Sequence, residues 1–179
     1  MDSNCFLIIM TQLSSDLLPF YDQIRRYAYR VTGSSDEADD VAQEVCLRYL
    51  NSGKSYQADQ LRNYLYRTAR NYMIDQHRRR TLHLKLTTDD NSESSLAYRS
   101  LFTPPASPDE NAQTSELQAI VRQKVNRLSP QKQEILHLRY DEQMKAKDIA
   151  EVVGLTYGNV RRILSETIAF LSKELEAYN

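Results

Sequence analysis

The sequence predicts an all-α protein made of two small helical domains, a helical bundle and a helix-turn-helix, joined by a flexible linker. Three observations lead there. Only 4 glycines and 5 prolines occur in 179 residues, so tight turns are scarce, while 26% of residues are charged. Apolar residues recur at spacings of three and four on either side of the middle of the chain, the period of a helix with one buried face. Across residues 84–112 that period is lost in TTDDNSESS and TPPASPDEN, where serine, threonine, aspartate and proline dominate. The expected organisation is a leader over 1–13, a first domain over 14–83, the linker over 84–112 and a second domain over 113–179. Each half is long enough to bury a core.

In the first domain Ser15 and Asp16 can cap a helix whose first turn tolerates Pro19. Its apolar face is Phe20, Ile24, Tyr27, Ala28 and Val31, and Gly33 ends it. Ser34 and Glu37 have capping-box spacing and start a second helix at once. That helix turns Ala38, Val41, Ala42, Val45 and Tyr49 inward and Asp39, Asp40, Gln43, Glu44 and Arg48 outward. The outward acidic face has two readings: a solvated face whose early acids favour the helix dipole, or a docking surface for a basic or polar partner helix. Asn51–Gln60 reads as a polar loop.

The stretch Leu61–Arg80, LRNYLYRTARNYMIDQHRRR, is the most informative. Leu61, Leu65, Thr68, Ala69, Tyr72 and Met73 can face the first two helices, leaving Arg62, Tyr66, Arg70 and Asn71 off the seam. Arg62, Arg67, Arg70, Arg78, Arg79 and Arg80 are opposed within the stretch only by Asp75. Arginines among aromatic rings suit a surface that grips phosphates and stacks unpaired bases. With a net charge of −1 such a surface must be local, and acids do gather at Asp36–Glu44 and bases at Arg62–Arg80.

Other classes of function find little support. Cys5 and Cys46 form no C-x-x-C pair and have no histidine at ligand spacing, so no zinc site, other metal site or disulfide framework is expected. His77, His83 and His137 are isolated, and there is no glycine-rich phosphate loop or nucleophile–base spacing. Neither an enzyme nor a cofactor is expected, although His77 sits where it can touch phosphate. MDSNCFLIIM is too short to span a bilayer and lacks the basic start of a signal peptide; Met10 is an alternative initiator.

In the second domain Leu117, Ile120, Val121 and Val125 stripe a helix ending near Arg127. Ser129 and Pro130 open the next, which runs to about Tyr140 and buries Ile135, Leu136 and Leu138. KAKDIAEVVGLTYGNVRRIL then reads as a helix-turn-helix, with Gly154 as the break and Thr156 as the cap of its second helix. Val160, Leu164, Thr167, Ile168, Leu171 and Leu175 form its buried seam. Asn159, Arg162, Ser165 and Glu166 point away, with Arg161 on the shoulder; arginine and asparagine there suit guanine and adenine in a major groove. Ile163 is placed off the seam, to meet a thymine methyl group or to close a helix–helix contact.

With these parts in this order, the chain resembles the bacterial sigma-70 family of RNA polymerase sigma factors, in its extracytoplasmic-function group. DDVAQEV is similar to that family's region 2.2, LYRTARNYMIDQHRRR to regions 2.3 and 2.4, and LSPQKQEILHLRY with KDIAEVVGLTYGNVRRIL to region 4. The resemblance covers about residues 14–82 and 113–176. It implies that Asp40, Gln43 and Glu44 dock on the β′ clamp helices of core RNA polymerase. It implies that Tyr56, Arg62, Tyr66, Arg70, Asn71, His77, Arg78, Arg79 and Arg80 bind the −10 element, with Asn71 and the loop Ser52–Gln60 receiving a flipped base. Thr156, Asn159, Arg161, Arg162, Ile163 and Ser165 would read the −35 element, and the second domain would meet the polymerase β flap.

The same resemblance implies a linker directed to the RNA channel, a cytoplasmic location, promoter DNA as a partner, and an anti-sigma factor. In the recognition helix Ile163 and Glu166 stand where the family has basic residues, and Arg162 where it has a small one. These departures and the short loop before Leu61 lean toward the iron-uptake branch, whose members answer to membrane-spanning regulators. The competing reading is a classical helix-turn-helix regulator that binds an operator without polymerase.

Overall fold

The computed structural model describes residues 17–87 and 116–176, and all regular secondary structure among them is helical. The chain divides into two compact units, Met1–Asn91 and Ser92–Asn179. Ser15, Asp16, the leader and most of the expected linker lie outside the described residues.

The first unit is built from α1 (Leu18–Thr32), α2 (Ser35–Ser52) and α3 (Ala58–Thr87). Leu17 is the residue that precedes α1, with no side-chain cap, and Pro19 falls in the first turn as expected. Gly33, at φ 70°, ends α1 in the left-handed region, which costs glycine nothing and other residues about 1–2 kcal/mol. Ser34 Oγ then accepts the Glu37 N–H at 3.3 Å and starts α2. The reciprocal half of the expected box goes elsewhere, because Glu37 Oε1 accepts instead from Arg80 Nη1 at 2.6 Å.

All three helices contribute to one core. Ile24, Tyr27, Ala28 and Val31 of α1 meet Ala38, Val41, Ala42 and Val45 of α2 and Leu61, Leu65, Tyr66, Ala69 and Met73 of α3. At its centre the Tyr27 and Tyr66 rings lie 5.2 Å apart, tilted by 46°. Phe20, expected inside, is only half-buried, and Tyr21 takes the interior position. Cys46 is also buried, which pushes its thiol up to about 11 and makes it a poor nucleophile at neutral pH.

Two boundaries differ from expectation. The loop before α3 spans 53–57 rather than 51–60, and α3 continues to Thr87. Neither flank holds a breaker: Ala58-Asp59-Gln60 places an acid in the first turn, and TLHLKLT after Arg80 lacks glycine and proline. At 30 residues α3 is roughly 45 Å long.

The second unit comprises α4 (Glu116–Asn126), α5 (Pro130–Tyr140), α6 (Ala146–Val153) and α7 (Tyr157–Glu176). Ile135, Leu138, Ile149, Val152 and Val160 are its fully buried apolar side chains. Lys124 of α4 is buried and its Nζ donates to Glu174 near the end of α7 at 2.5 Å. The α5–α6 turn is held by the Met144 N–H on Leu138 O at 2.9 Å and by Arg139 Nη1 on Met144 O at 2.9 Å. His137 is buried, and its Nδ1 lies 2.6 Å from Asp141 Oδ2.

Gly154 ends α6 at φ 71°, with the Leu155 N–H on Ala150 O at 3.0 Å. A Cβ there meets nothing within 4 Å, so its cost is conformational alone. Gly154→Ala is expected to lower the stability of the chain by about 1–2 kcal/mol without altering the helical content, as read by denaturant titration followed by circular dichroism.

Candidate nucleic-acid and partner interfaces

The acidic face of α2 is more finely divided than its sequence suggests. Asp39 is engaged by the Arg25 guanidinium of α1, whose Nη2 also donates to Ser35 Oγ at 3.1 Å. Gln43 hydrogen-bonds Tyr21, whose hydroxyl is pushed above its ordinary range by burial and by the Asp39 carboxylate. Glu44 Oε1 takes Arg48 Nε at 2.7 Å, and the Arg48 guanidinium carbon in turn lies 5.0 Å from the centre of the Tyr72 ring. Asp40 is exposed, while Gln43 and Glu44 are half-buried. Leu47 is exposed two turns beyond Asp40 and adds an apolar point to the same side. Helical angles place it there, beside an expected docking set that was wholly polar.

On α3 the expected DNA-facing residues separate into two groups. Asn71, Arg78, Arg79 and Arg80 are exposed, with Asp75 Oδ1 4.0 Å from Arg78 Nη1. Arg67, one turn before Asn71, is exposed on the same side and extends the stripe. Arg62, Arg70 and His77 are half-buried, and the Arg62 guanidinium carbon lies 5.7 Å from the centre of the Tyr66 ring.

Tyr66 itself was expected off the seam as a DNA contact, and the structure corrects this: it is 0% exposed and forms the middle of the core. Its ring packs on Tyr27 across the bundle, so burial wins over a surface position.

The loop 53–57 does not carry its ring free in solvent. Tyr56 stacks on Tyr64 at 5.0 Å, and Tyr49 closes the group at 6.2 and 6.1 Å from the two. Ser52 Oγ donates to Tyr49 O at 2.7 Å and accepts the Lys54 N–H at 3.2 Å, which shapes the exit from α2. Three tyrosines from α2, the loop and α3 thus form one half-buried aromatic cluster beside the basic helix. Of the three, the resemblance points to Tyr56 alone; the spacing of three rings over sixteen residues holds no period that joins them.

The second helix of the helix-turn-helix, α7, is capped as expected, with Thr156 Oγ1 accepting the Asn159 N–H at 3.3 Å. Thr156, Asn159, Arg161, Arg162 and Ser165 are all exposed. Ile163 is not: at 8% exposure it belongs to the core, so the helix–helix alternative holds and the thymine-methyl contact falls away. Ile168, placed in the seam, is 42% exposed. Both errors share a cause. The interior face of α7 is centred on Val160, Ile163, Leu164 and Thr167, rotated from a seam drawn through Ile168. Arg162 Nη1 pairs with Glu166 Oε1 at 2.7 Å, and the Arg161 guanidinium carbon lies 5.7 Å from the centre of the Tyr157 ring.

Among the described residues no group of His, Cys, Asp and Glu is arranged to hold a metal, and no helix is long and apolar enough to cross a membrane.

A three-helix unit with a basic helix and an acidic face, followed by a unit with a helix-turn-helix, matches two family descriptions. Sigma-70 region 2 matches residues 18–82 and Sigma-70, region 4 matches residues 118–171, about two thirds of the chain together. The chain belongs to the sigma-70 family. It is 26% identical over 164 residues to the ECF RNA polymerase sigma factor SigW of Bacillus subtilis, covering 90% of this chain and 88% of that protein. It is 26% identical over 158 residues to the ECF RNA polymerase sigma factor BldN of Streptomyces coelicolor, covering 87% of this chain and 57% of that longer protein. In fold it is similar, with a TM-score of 0.65 and 20% identity, to the sigma factor RpoE solved with the anti-sigma factor NepR from Bartonella quintana, covering 90% of this chain and 94% of that one.

Two expectations follow. Tyr66→Ala should lower stability by about 3–5 kcal/mol in denaturant titration, the cost of removing a buried ring, and any loss of DNA binding should track unfolding. His77 is held below its ordinary range by burial and by the Arg80 charge, while Glu37 opposes the shift. A depressed histidine disfavours the folded state once pH falls below its unfolded value, because the unfolded chain takes up the proton first. Glu37→Gln should move the His77 titration further down, as followed by NMR; an upward shift would remove Glu37 as the opposing charge.

Proposed function

We propose that this chain is a transcription initiation factor of the extracytoplasmic-function group, which binds core RNA polymerase and directs it to promoters. It acts in the bacterial cytoplasm and performs no catalysis of its own. The observation that carries this reading is the pairing, in one small bundle, of an acidic docking face on α2 with a basic, asparagine-bearing stripe on α3. A free-standing regulator has use for the second feature and none for the first.

On this reading residues 14–83 dock on polymerase and open the −10 region, residues 84–112 thread toward the RNA channel, and residues 113–179 read the −35 element. Asp40, Gln43 and Glu44 meet the β′ clamp helices, with Leu47 beside them. Arg67, Arg70, Arg78, Arg79 and Arg80 hold phosphates, and Asn71 with the Tyr49–Tyr56–Tyr64 cluster receives an unstacked base. Unstacking costs a few kcal/mol, which aromatic stacking at about 1–3 kcal/mol per base offsets. Asn159, Arg161, Arg162 and Ser165 face the major groove, and the second unit meets the β flap. An anti-sigma factor is a natural partner, given the complex in which the similar fold was solved. The short loop 53–57 and the atypical recognition helix favour the iron-uptake branch and a membrane-spanning regulator.

Run-off transcription with purified core polymerase across genomic DNA fragments should yield discrete transcripts that vanish without this chain. Specific DNA binding by the chain alone, with no transcripts at any salt, would return the reading to an operator-binding regulator. Alanine at Asp40, Gln43 and Glu44 together should weaken capture of core polymerase roughly tenfold or more, measured at a temperature where circular dichroism shows the variant folded. Unchanged affinity would remove α2 from the docking surface.

A further inference from the structure

Tyr157 opens the recognition helix and is 52% exposed, so core packing does not account for it. One turn later the Arg161 guanidinium carbon lies 5.7 Å from the centre of its ring, within cation–π range. Arg162, next in sequence, is drawn the opposite way, with Nη1 2.7 Å from Glu166 Oε1 one turn toward the C-terminus. Successive arginines of one helix are thus held toward its two ends by two different kinds of partner.

The difference bears on what each can do. A carboxylate occupies guanidinium N–H donors, cancels the charge and repels a phosphate or a base acceptor. An aromatic face takes no N–H donor and adds no charge; it restricts the guanidinium plane while leaving its fork open. Residues near the N-terminus of the second helix of a helix-turn-helix reach base edges, and an open arginine fork matches the two acceptors of guanine. Of the two arginines, Arg161 has both the position and the open fork.

We infer that Tyr157 is a positioning residue that sets base specificity, its ring orienting Arg161 for a guanine in the −35 element. This rests on the −35 reading proposed above. It also accounts for a departure of this chain, since Ile163 is committed to the core and Glu166 opposes Arg162. Discrimination then falls on Arg161 and the ring behind it.

The test uses holoenzyme assembled from this chain and core polymerase, on the strongest promoter found by run-off transcription. Each −35 base pair is replaced in turn by the other three, and transcription is compared for the parent chain, Arg161→Ala, Tyr157→Leu and Tyr157→Phe. Arg161→Ala should abolish preference for guanine at one position. Tyr157→Leu should reduce preference at that same position by about 2- to 5-fold, and Tyr157→Phe, which keeps the ring face, should retain it. Because the ring is half in solvent, thermal unfolding should be the same for all three tyrosine-site chains.

Four results overturn the inference. Equal weakening by Tyr157→Leu on every −35 sequence would make the ring a general contact. Loss in Tyr157→Phe matching that in Tyr157→Leu would assign the effect to the hydroxyl. Preference lost with Arg161→Ala but intact in Tyr157→Leu would leave the ring without a role. Every −35 preference intact in Arg161→Ala would overturn it too, by removing Arg161 as a reader; a parent chain indifferent to every −35 substitution would instead overturn the −35 reading itself, and that result is separate from the other four.

Discussion

The first unit depends on one buried contact, the Tyr27 and Tyr66 rings packed 5.2 Å apart at 0% exposure. α3 must bury one side to exist as an ordered helix in a small bundle, and on the proposed reading it must leave the other side available to DNA. A large ring at position 66 meets the first demand in a single residue, because two aromatic side chains bury on the order of 300–500 Å² between them. The smaller Leu61, Leu65, Ala69 and Met73 complete the seam around it. With the interior side fixed, Arg67, Asn71 and Arg78 fall on the solvent side by helical geometry alone. The surface chemistry of α3 is thereby a consequence of its core, and the half-buried Arg62 lies against the outer face of the same ring.

Charge follows a similar division. Several acids of the first unit are matched internally: Asp39 by Arg25, Glu44 by Arg48 and Glu37 by Arg80. Exposed pairs of this kind each contribute roughly 0–1 kcal/mol, too little to hold the bundle together. Their effect is on direction. Glu37 and Arg80 are 43 residues apart in sequence, and their pair ties the start of the acidic helix to the basic end of α3. Open toward a partner on α2 are Asp36 and Asp40 together with Leu47, acids and an apolar side chain on one face.

Much of this architecture could be read from the residues, and the failures are instructive. Gly33, Gly154, Ser34 and Thr156 marked helix ends, because each does local chemistry that needs no knowledge of the rest of the chain. Tyr66, Ile163 and Ile168 were misplaced because a period gives a face about 100° wide and does not say where its centre lies. The position of a neighbouring helix settles that, and no single helix encodes it. The tyrosine cluster was hidden for a related reason. Tyr49, Tyr56 and Tyr64 come from two helices and the loop between them, and only the turn at 53–57 brings them together. Exposed residues were easier to find: Arg78, Arg79 and Arg80 of α3 and Asn159, Arg161, Arg162 and Ser165 of α7 stood out because burial would have cost them dearly.

These pairings bear on why such a chain would act through polymerase. Binding to a nucleic-acid backbone draws its strength from cations that replace condensed counterions. Here 23 basic residues face 24 acidic ones, and Arg48, Arg80 and Arg162 each lean on a carboxylate of the same unit. Such internal pairing would weaken the attraction to duplex DNA at ordinary salt. On the proposed reading this is useful, because a factor that bound DNA avidly by itself would be spread over non-specific sites. Two weak readers joined by one linker gain strength only when a third body holds both at the right separation, since each then acts at high effective concentration for the other. Core polymerase, docked on α2 and on the second unit, would be that body. The modest basicity of the two reading surfaces and the separate docking face are then parts of one arrangement.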